Sequence, residues 1–327
     1  MRAAFYDHTG PAAAVLSVAE LPTPVAGPRE VRVKLKWSGV NPSDVKTRSG
    51  IRSKTLPFPR IVPHSDGAGV IDQVGEGVDR ARIGERVWLW NAAWSRPNGT
   101  AAEYVVLPAP QAVRLPDGID LAAGACLGIP ALTAYHAVMV DGGVDGKSVL
   151  VAGGAGAVGH YAVQFARLQG ASRIVASVSS ADKAALARAA GAEFAVNYRT
   201  ENLVERCLEA TAGVGLDRII EVDFAANVQA DLAAVRAEGD LIVYGSGAAE
   251  IAVPFVPAIL KGVRMRFFIV YTLNPQDRAR ALKGVGESLE ANRLVHNIGA
   301  RLPLARIAEA HELVEQGRVT GNVLLEI

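Results

Sequence analysis

The chain has 327 residues, of which 50% are hydrophobic and 20% are charged. At roughly 150 residues per domain, this length predicts about two domains with large cores and argues against intrinsic disorder. The 34 basic and 33 acidic side chains give a net charge of +1, which leaves no basic excess for binding nucleic acid. Two cysteines form no disulfide framework, so a cytoplasmic protein is expected. The start of the chain lacks a signal-peptide pattern, and no apolar run approaches the ~18 residues of a membrane span.

The first third of the chain has the pattern of short strands separated by turns. Residues 31–37 alternate apolar and basic side chains, the period of two that is typical of a half-buried strand. Residues 67–75 and 101–107 are predicted to form further strands, and proline and glycine at 56–59 and 97–99 mark connections between strands. Several short strands with such turn signals predict a small β-barrel or sandwich.

From about residue 125 the pattern changes to alternating strands and helices. Six strands are predicted, at residues 148–152, 173–178, 194–197, 217–222, 240–244 and 265–270. The helix between the second and third of these strands runs from Asp182 to Ala190 and ends at Gly191, a suitable C-cap. Six strands with interleaved helices predict an α/β fold with a doubly wound parallel sheet.

The C-terminal part returns to a mixed pattern, with helices near 276–291 and 305–316 and a last strand at 322–327. We expect this part to pack on the first domain, which makes the parallel-sheet domain an insertion. The predicted division of the chain is therefore 1–124, 125–266 and 267–327.

A glycine cluster connects the first strand of the parallel sheet to a helix, and it reads GGAGAVG. Gly154, Gly156 and Gly159 fit the pattern G-x-G-x-x-G in the strand–turn–helix context that a dinucleotide site requires. Gly154 permits a tight turn, Gly156 lets the backbone approach a pyrophosphate, and Gly159 lets the helix pack closely on the strand. The N-terminus of the helix, at Ala157 and Val158, then faces the negatively charged pyrophosphate. The alternative is an ordinary glycine-rich turn.

The end of the second strand indicates which dinucleotide binds. NAD sites usually place Asp or Glu about 20 residues beyond the glycine motif, where it bonds to the ribose 2′-hydroxyl. Here the end of the strand, from Ser177 to Ala181, carries no acid, while Ser179, Ser180 and Lys183 offer hydroxyl donors and a positive charge to a 2′-phosphate. Tyr198, just after the third strand, is positioned to reach the same pocket. We therefore predict that the protein binds NADPH rather than NADH. The alternative for Lys183 is a solvated side chain on the helix, and the alternative for Ser180 is a helix cap.

Several further segments follow one another in a recognisable order: residues 39–44, 65–71, 84–87, 128–135 and 195–199. Together with the glycine motif they resemble the quinone oxidoreductase (zeta-crystallin-like) branch of the medium-chain dehydrogenase/reductase superfamily. The resemblance implies a Rossmann sheet inserted in a GroES-like β-rich catalytic domain. It also implies a homodimer, for which the apolar strand at 265–270 offers a sheet edge.

The resemblance also implies roles for particular residues. Asn41 would lie beside the nicotinamide and bond to the oxygen of the hydride acceptor, and Thr133 would contact the nicotinamide. Further cofactor contacts are implied at Tyr244, Gly245, Ser246, Phe268 and Val270. The chain departs from the family near residues 45–52, where relatives often carry tyrosines, and here Lys46 would instead orient an anionic acceptor. The alternatives are a turn residue before a proline for Asn41 and a solvated side chain for Lys46.

The positions that hold catalytic zinc in related alcohol dehydrogenases correspond here to Asn41, Ser65 and Ile129, which are poor zinc ligands. No metal is expected. Oxidation of a simple alcohol is difficult without a Lewis acid, whereas a quinone or enone accepts hydride directly. The predicted activity is a zinc-independent NADPH:quinone oxidoreductase. The alternatives are an enone or 2-alkenal reductase and, because tyrosines common in relatives are missing near residues 45–52, a low-turnover NADPH-binding structural or regulatory protein.

Overall fold

The computed structural model describes residues 1–327 and contains fifteen strands and eleven α-helices. The first part comprises β1 (Arg2–Phe5), α1 (Ala12–Val15), β2 (Ser17–Glu20), β3 (Glu30–Val40), α2 (Pro42–Arg48), β4 (Asp66–Val74), β5 (Arg86–Leu89), β6 (Tyr104–Pro108), β7 (Ala112–Arg114) and α3 (Leu121–Gly124). The middle part comprises α4 (Leu132–Met139), β8 (Ser148–Val151), α5 (Ala157–Leu168), β9 (Arg173–Val178), α6 (Ala181–Ala190), β10 (Phe194–Asn197), α7 (Leu203–Ala210), β11 (Leu216–Glu221), α8 (Phe224–Ala234), β12 (Val235–Val243), α9 (Phe255–Lys261), β13 (Arg264–Phe267) and α10 (Pro275–Glu290). The last part comprises β14 (Ile298–Pro303), α11 (Ile307–Glu315) and β15 (Asn322–Glu326). None of the helices combines the length and hydrophobicity that a bilayer crossing requires.

The first and last parts share one seven-stranded sheet. Its strands lie in the order β14-β15-β3-β4-β5-β7, and β6 also pairs with β3. The alternation predicted for β3 is confirmed, because Val31, Val33 and Leu35 are buried while Lys34 and Lys36 are exposed. The buried side chains of β3 pack with those of β4, β5 and β6 to form the core of this β-rich unit.

The middle part forms a six-stranded parallel sheet in the order β10-β9-β8-β11-β12-β13. Numbered from β8, this order is 3-2-1-4-5-6, which is the order of a Rossmann sheet. Strands of such a sheet are buried on both faces, and Val149, Val175, Ile219 and Leu241 are completely or almost completely buried. The predicted Rossmann sheet with a β-rich second domain is confirmed.

The last two strands of the parallel sheet differ from their predicted bounds. β12 begins at Val235 rather than at residue 240, and extra residues bulge from it before Asp240 pairs with Arg218 of β11. β13 ends at Phe267 rather than at residue 270, because residues 270–272 turn into a short 3₁₀ helix. The differences arise at a bulge in β12 and at the short helix after β13, and the periodicity of apolar residues in the sequence predicts neither of them.

The structure divides into two compact units. The first comprises residues 1–129, 289–292 and 296–327, and the second comprises residues 130–288 and 293–295. Residues 267–288, which the sequence analysis grouped with the returning segment, therefore lie in the second unit. The reason is the packing of α10, where Gly284 lies so close to Tyr135 of α4 that a Cβ would be 2.0 Å from the tyrosine ring.

Candidate active site

The glycine loop runs from the end of β8 to the start of α5 and is held by the neighbouring strand β9. Ser177 of β9 accepts a hydrogen bond from the Gly153 N–H through its Oγ at 3.1 Å, and one from the Gly154 N–H through its carbonyl oxygen at 3.0 Å. Gly153 has a φ of 66°, which favours glycine. Ala157 and Val158 form the first turn of α5. Ser177 therefore holds the loop in shape, and the helix N-terminus follows directly.

The three motif glycines have different surroundings. A Cβ on Gly154 would lie 2.6 Å from the Cβ of Ala176, and a Cβ on Gly159 would lie 2.1 Å from the carbonyl oxygen of Gly153. Neither position has room for a side chain. A Cβ on Gly156 would approach only the Gly153 oxygen, at 3.2 Å, so the protein leaves the space above this residue open. This cradle fits a pyrophosphate that approaches the backbone at Gly156.

The residues predicted to bind a 2′-phosphate lie at the carboxyl ends of β9 and β10. Lys183 Nζ donates to Ser179 Oγ at 3.0 Å, so a hydroxyl and an ammonium lie together. Ser180 caps α6, since its Oγ accepts from the Lys183 N–H at 3.3 Å. Tyr198 follows β10, and its backbone N–H bonds to the carbonyl oxygen of Val178 at 3.1 Å. The structure thus brings the predicted residues to one edge of the sheet, with the Ser180 hydroxyl engaged as a cap.

The predicted nicotinamide contacts include an aromatic cluster in the second unit. Phe268 packs edge to face on His136 of α4, with ring centroids 4.5 Å apart, and lies 6.4 Å from the ring of Tyr244. Thr133 is one turn before His136 on the same helix and is buried, as is Val270. Burial also raises the pKa of Tyr244, so its hydroxyl stays protonated. The cluster fixes the position of the chain around Phe268.

The loop after β12 approaches the end of β11 closely. A Cβ on Gly245 would lie 2.2 Å from the carbonyl oxygen of Val222, so only glycine fits there. The Tyr244 N–H bonds to the carbonyl oxygen of Glu221 at 3.1 Å, and Ser246 Oγ donates to the carbonyl oxygen of Ala248 at 2.8 Å. Gly245 and Ser246 therefore lie in a turn with a defined backbone.

A buried acid in this part of the unit was not predicted from the sequence. Glu221 ends β11, and its Oε1 accepts from the Asp223 N–H and from Asn227 Nδ2, the latter at 3.0 Å. Asp223 in turn accepts from the Gly247 N–H at 2.7 Å, which joins the loops after β11 and β12. Burial raises the pKa of Glu221. The signal that could have revealed it is an acid at the carboxyl end of an otherwise apolar strand.

In the first unit, Asn41 lies at the start of α2 and is buried. Asn41 and Asp44 form a capping box, in which Asp44 Oδ2 accepts from the Asn41 backbone N–H at 2.8 Å. The Asn41 side chain donates through Nδ2 to Asp66 Oδ2 at 2.7 Å. Burial raises the pKa of Asp44 to about 7 and that of Asp66 well above its usual range. Lys46 is half-buried in the last turn of α2.

The residues at the three zinc-ligand positions do not fit a zinc ion. Asn41 presents an amide nitrogen that is engaged with Asp66, Ser65 presents a neutral hydroxyl, and Ile129 has no ligand atom. No group of three or more His, Cys, Asp or Glu side chains in residues 1–327 is arranged to hold a metal ion.

His64 belongs to a buried chain of hydrogen bonds. The Thr100 hydroxyl donates to the carbonyl oxygen of Asp66, so Ser38 must donate to Thr100 at 2.8 Å. His64 Nδ1 then donates to Ser38 at 2.8 Å, and neutral His64 accepts at Nε2 from His311 Nε2, 2.9 Å away. Burial lowers the pKa of both histidines, that of His311 to about 3, so both remain neutral. This series of hydrogen bonds holds the backbone at Asp66, the residue that binds the Asn41 side chain. It therefore supports a structural role for His64.

Asp44→Asn is expected to change how stability depends on pH. The folded-state pKa of about 7 lies above the ordinary value of 3.8, so folded protein binds this proton more tightly than unfolded protein does. Wild-type protein therefore loses stability as pH rises from 4 to 7, by up to about 1.4 kcal/mol per pH unit, and the variant lacks this loss. Urea unfolding of both proteins between pH 5 and pH 8 measures the difference, and a difference that does not vary with pH would contradict the assignment.

Two family models match the chain: the alcohol dehydrogenase GroES-like domain at residues 27–117 and the zinc-binding dehydrogenase domain at residues 157–285. A human quinone oxidoreductase is 31% identical over 309 residues, which cover 94% of this chain and 92% of the relative. The structure is similar to that of an NAD-dependent alcohol dehydrogenase, with 30% identity, a TM-score of 0.91 and full coverage of both chains. It is also similar to a mycobacterial protein complexed with NADPH, with 26% identity, a TM-score of 0.86 and full coverage of both chains.

The parallel sheet, its glycine loop and the β-rich unit define a dinucleotide-binding oxidoreductase with a GroES-like domain. More specifically, the chain belongs to the medium-chain dehydrogenase/reductase superfamily, in its quinone oxidoreductase branch. The resemblance found in the sequence is thereby confirmed. Family membership makes the protein an NAD(P)-dependent oxidoreductase.

Proposed function

We propose that the protein is a zinc-independent NADPH:quinone oxidoreductase. The observation that carries the proposal is the donor set at Asn41, Ser65 and Ile129, which does not suit zinc and therefore favours an acceptor that takes hydride without a Lewis acid. The similarity to a human quinone oxidoreductase supports a quinone as that acceptor. A cytoplasmic location is part of the proposal, since both cysteines are free and buried.

When bound, NADPH supplies a hydride from C4 of its nicotinamide. The open backbone at Gly156 would receive the pyrophosphate, and Ser179 with Lys183 would receive the 2′-phosphate. Asn41 would donate a hydrogen bond to the quinone oxygen, where negative charge develops during reduction. Thr133 would orient the nicotinamide. Lys46 would orient an anionic acceptor. If the Lys46→Ala variant has the same kcat/KM for a quinone as wild type, Lys46 has no part in this mechanism.

Anaerobic oxidation of NADPH in the presence of a panel of quinones, enones and 2-alkenals tests the choice of substrate. We expect the largest kcat/KM for a quinone. A larger kcat/KM for an enone or 2-alkenal would favour the alternative reductase activity. Tight binding of NADPH without oxidation by either class would favour a structural or regulatory binding protein.

Lys183→Ala is expected to raise the KM for NADPH by about tenfold or more and to leave the KM for NADH unchanged. The reason is that a charge-assisted bond to a phosphate contributes roughly 1.5–3 kcal/mol, and NADH lacks that phosphate. The matched control is Arg188→Ala, which removes an exposed charge from the far end of the same helix α6. Equal changes in KM for the two cofactors, or a wild-type preference for NADH, would contradict NADPH specificity.

We also propose a homodimer through the second unit. β13 lies at the edge of the parallel sheet, and α9, which precedes β13 in the chain and packs on β12, carries Phe255 and Leu260, which are 71% and 80% exposed. Phe267 of β13 is 60% exposed. β13 also carries Arg264 and Arg266, so exposed apolar side chains lie beside charged ones, and we expect this open edge to pair with the identical edge of a second copy. Sedimentation is expected to show a dimer that Leu260→Lys dissociates, and a wild-type monomer would contradict the proposal.

A further inference from the structure

Asp66 is buried in the first unit, with only 1% of the residue exposed. Two glycines border it. A Cβ on Gly39 of β3 would lie 2.9 Å from the Cβ of Asp66, and a Cβ on Gly128 would lie 2.5 Å from its Oδ1. Both would also meet backbone, at 2.4 Å from the Ala125 oxygen and 2.2 Å from the Leu89 oxygen respectively, so Asp66 lies where the backbone is packed too closely for further side chains.

The three positions that correspond to zinc ligands converge on this carboxyl group. Asp66 follows Ser65 directly, its Oδ2 accepts from Asn41 Nδ2 at 2.7 Å, and its Oδ1 faces Gly128, the neighbour of Ile129. The carbonyl oxygen of Asp66 is held separately by Thr100. A carboxyl group thus lies where a metal would otherwise join these segments, and it binds Asn41, which the proposed function places on the acceptor oxygen.

We propose that Asp66 is a positioning residue that orients the Asn41 carboxamide toward the hydride acceptor. The bond to Asp66 commits one of the two Nδ2 hydrogens and fixes the plane of the amide, while the capping box fixes the backbone of the same residue. The second Nδ2 hydrogen is then the donor to the acceptor oxygen, without the rotational freedom of an unanchored amide. One part of this inference rests on the proposed function, namely the contact between Asn41 and the acceptor oxygen.

A double-mutant cycle tests the proposal through turnover of the intact protein. Asp66→Leu removes the acceptor at nearly the same volume, and we expect kcat to fall roughly tenfold or more with the Kd for NADPH unchanged. In an Asn41→Ala background the same change is expected to alter kcat less than twofold, because Asp66 acts through Asn41. Asp66→Asn retains an oxygen acceptor and is expected to restore most of the lost turnover. The matched control is Asp72→Leu on the same strand, which removes an ion pair with Arg32 instead.

A loss of turnover in Asp66→Leu of the same size with and without Asn41 would overturn the proposal. NMR of the Asn41 side-chain amide provides a readout that needs neither turnover nor a stable variant. In wild-type protein we expect one of its two protons to be shifted downfield and slow to exchange, and two protons with the shifts and rapid exchange of a solvated asparagine amide would also overturn the proposal. If this signature is present but no quinone is reduced, the proposed function is wrong and the positioning of Asn41 stands.

Discussion

Gly159→Ala is expected to destabilise the second unit by about 3 kcal/mol. The new Cβ would lie 2.1 Å from the carbonyl oxygen and 2.8 Å from the carbonyl carbon of Gly153, so the backbone of the loop or of α5 must move. Overpacking against backbone costs about 1–3 kcal/mol, and no flexible side chain is available to give way here. Urea unfolding of the variant measures the loss, and binding of NADPH is expected to disappear with it.

Gly156→Ala is the matched control for this effect. Its Cβ would meet only the Gly153 oxygen at 3.2 Å, and its φ of −73° suits alanine. We therefore expect a stability within about 1 kcal/mol of wild type, but at least tenfold weaker binding of NADPH, because the methyl group occupies the space of the pyrophosphate. Equal losses of stability in the two variants would contradict the separate roles of these glycines.

Arg218→Met is expected to lower the free energy of unfolding by about 3–5 kcal/mol. Arg218 lies on β11 and is fully buried. Its guanidinium donates to the carbonyl oxygens of Val138 and Val140 at 2.9 and 2.8 Å and to Asp240 Oδ2 at 3.0 Å. Its removal would leave buried acceptors without a donor and release the C-terminal end of α4, the helix that carries Thr133.

The control for this prediction is Arg264→Met, which removes a second arginine from the same carboxylate. Arg264 pairs with Asp240 at 2.7 Å, but its side chain is 68% exposed. Exposed ion pairs contribute about 0–1 kcal/mol, so this variant is expected to unfold close to wild type. Thermal and urea unfolding of both variants measure the contrast. A loss of less than 1 kcal/mol in Arg218→Met would contradict the assigned role.

Local patterns were sufficient to predict the elements that position the cofactor. The alternation of β3, the apolar strands of the parallel sheet and the capping glycine Gly191, which has a φ of 118°, all depend on residues within a few positions of one another. The glycine motif belongs to the same class, since its strand, turn and helix are contiguous. These features are encoded over spans of about ten residues.

The unpredicted features depend on partners that are distant in the chain. His64 and His311 are 247 positions apart, and Asn41 and Asp66 are 25 positions apart, so neither pair produces a periodic pattern. The role of Asp66 becomes apparent only from its burial and from its bond to Asn41. Packing of α10 on α4 likewise decides which unit contains residues 267–288, and the sequence of α10 alone does not specify that partner.

The most direct test of a metal-free, NADPH-dependent quinone reduction is a single-turnover experiment on protein that has been treated with a chelator and analysed for metal. The protein is mixed anaerobically with NADPH and a benzoquinone, and nicotinamide absorbance is followed. We predict that NADPH is consumed as hydroquinone forms, that deuterium at C4 of NADPH slows the reaction, and that added zinc changes nothing. No consumption of NADPH, or turnover that a chelator abolishes and zinc restores, would contradict the account.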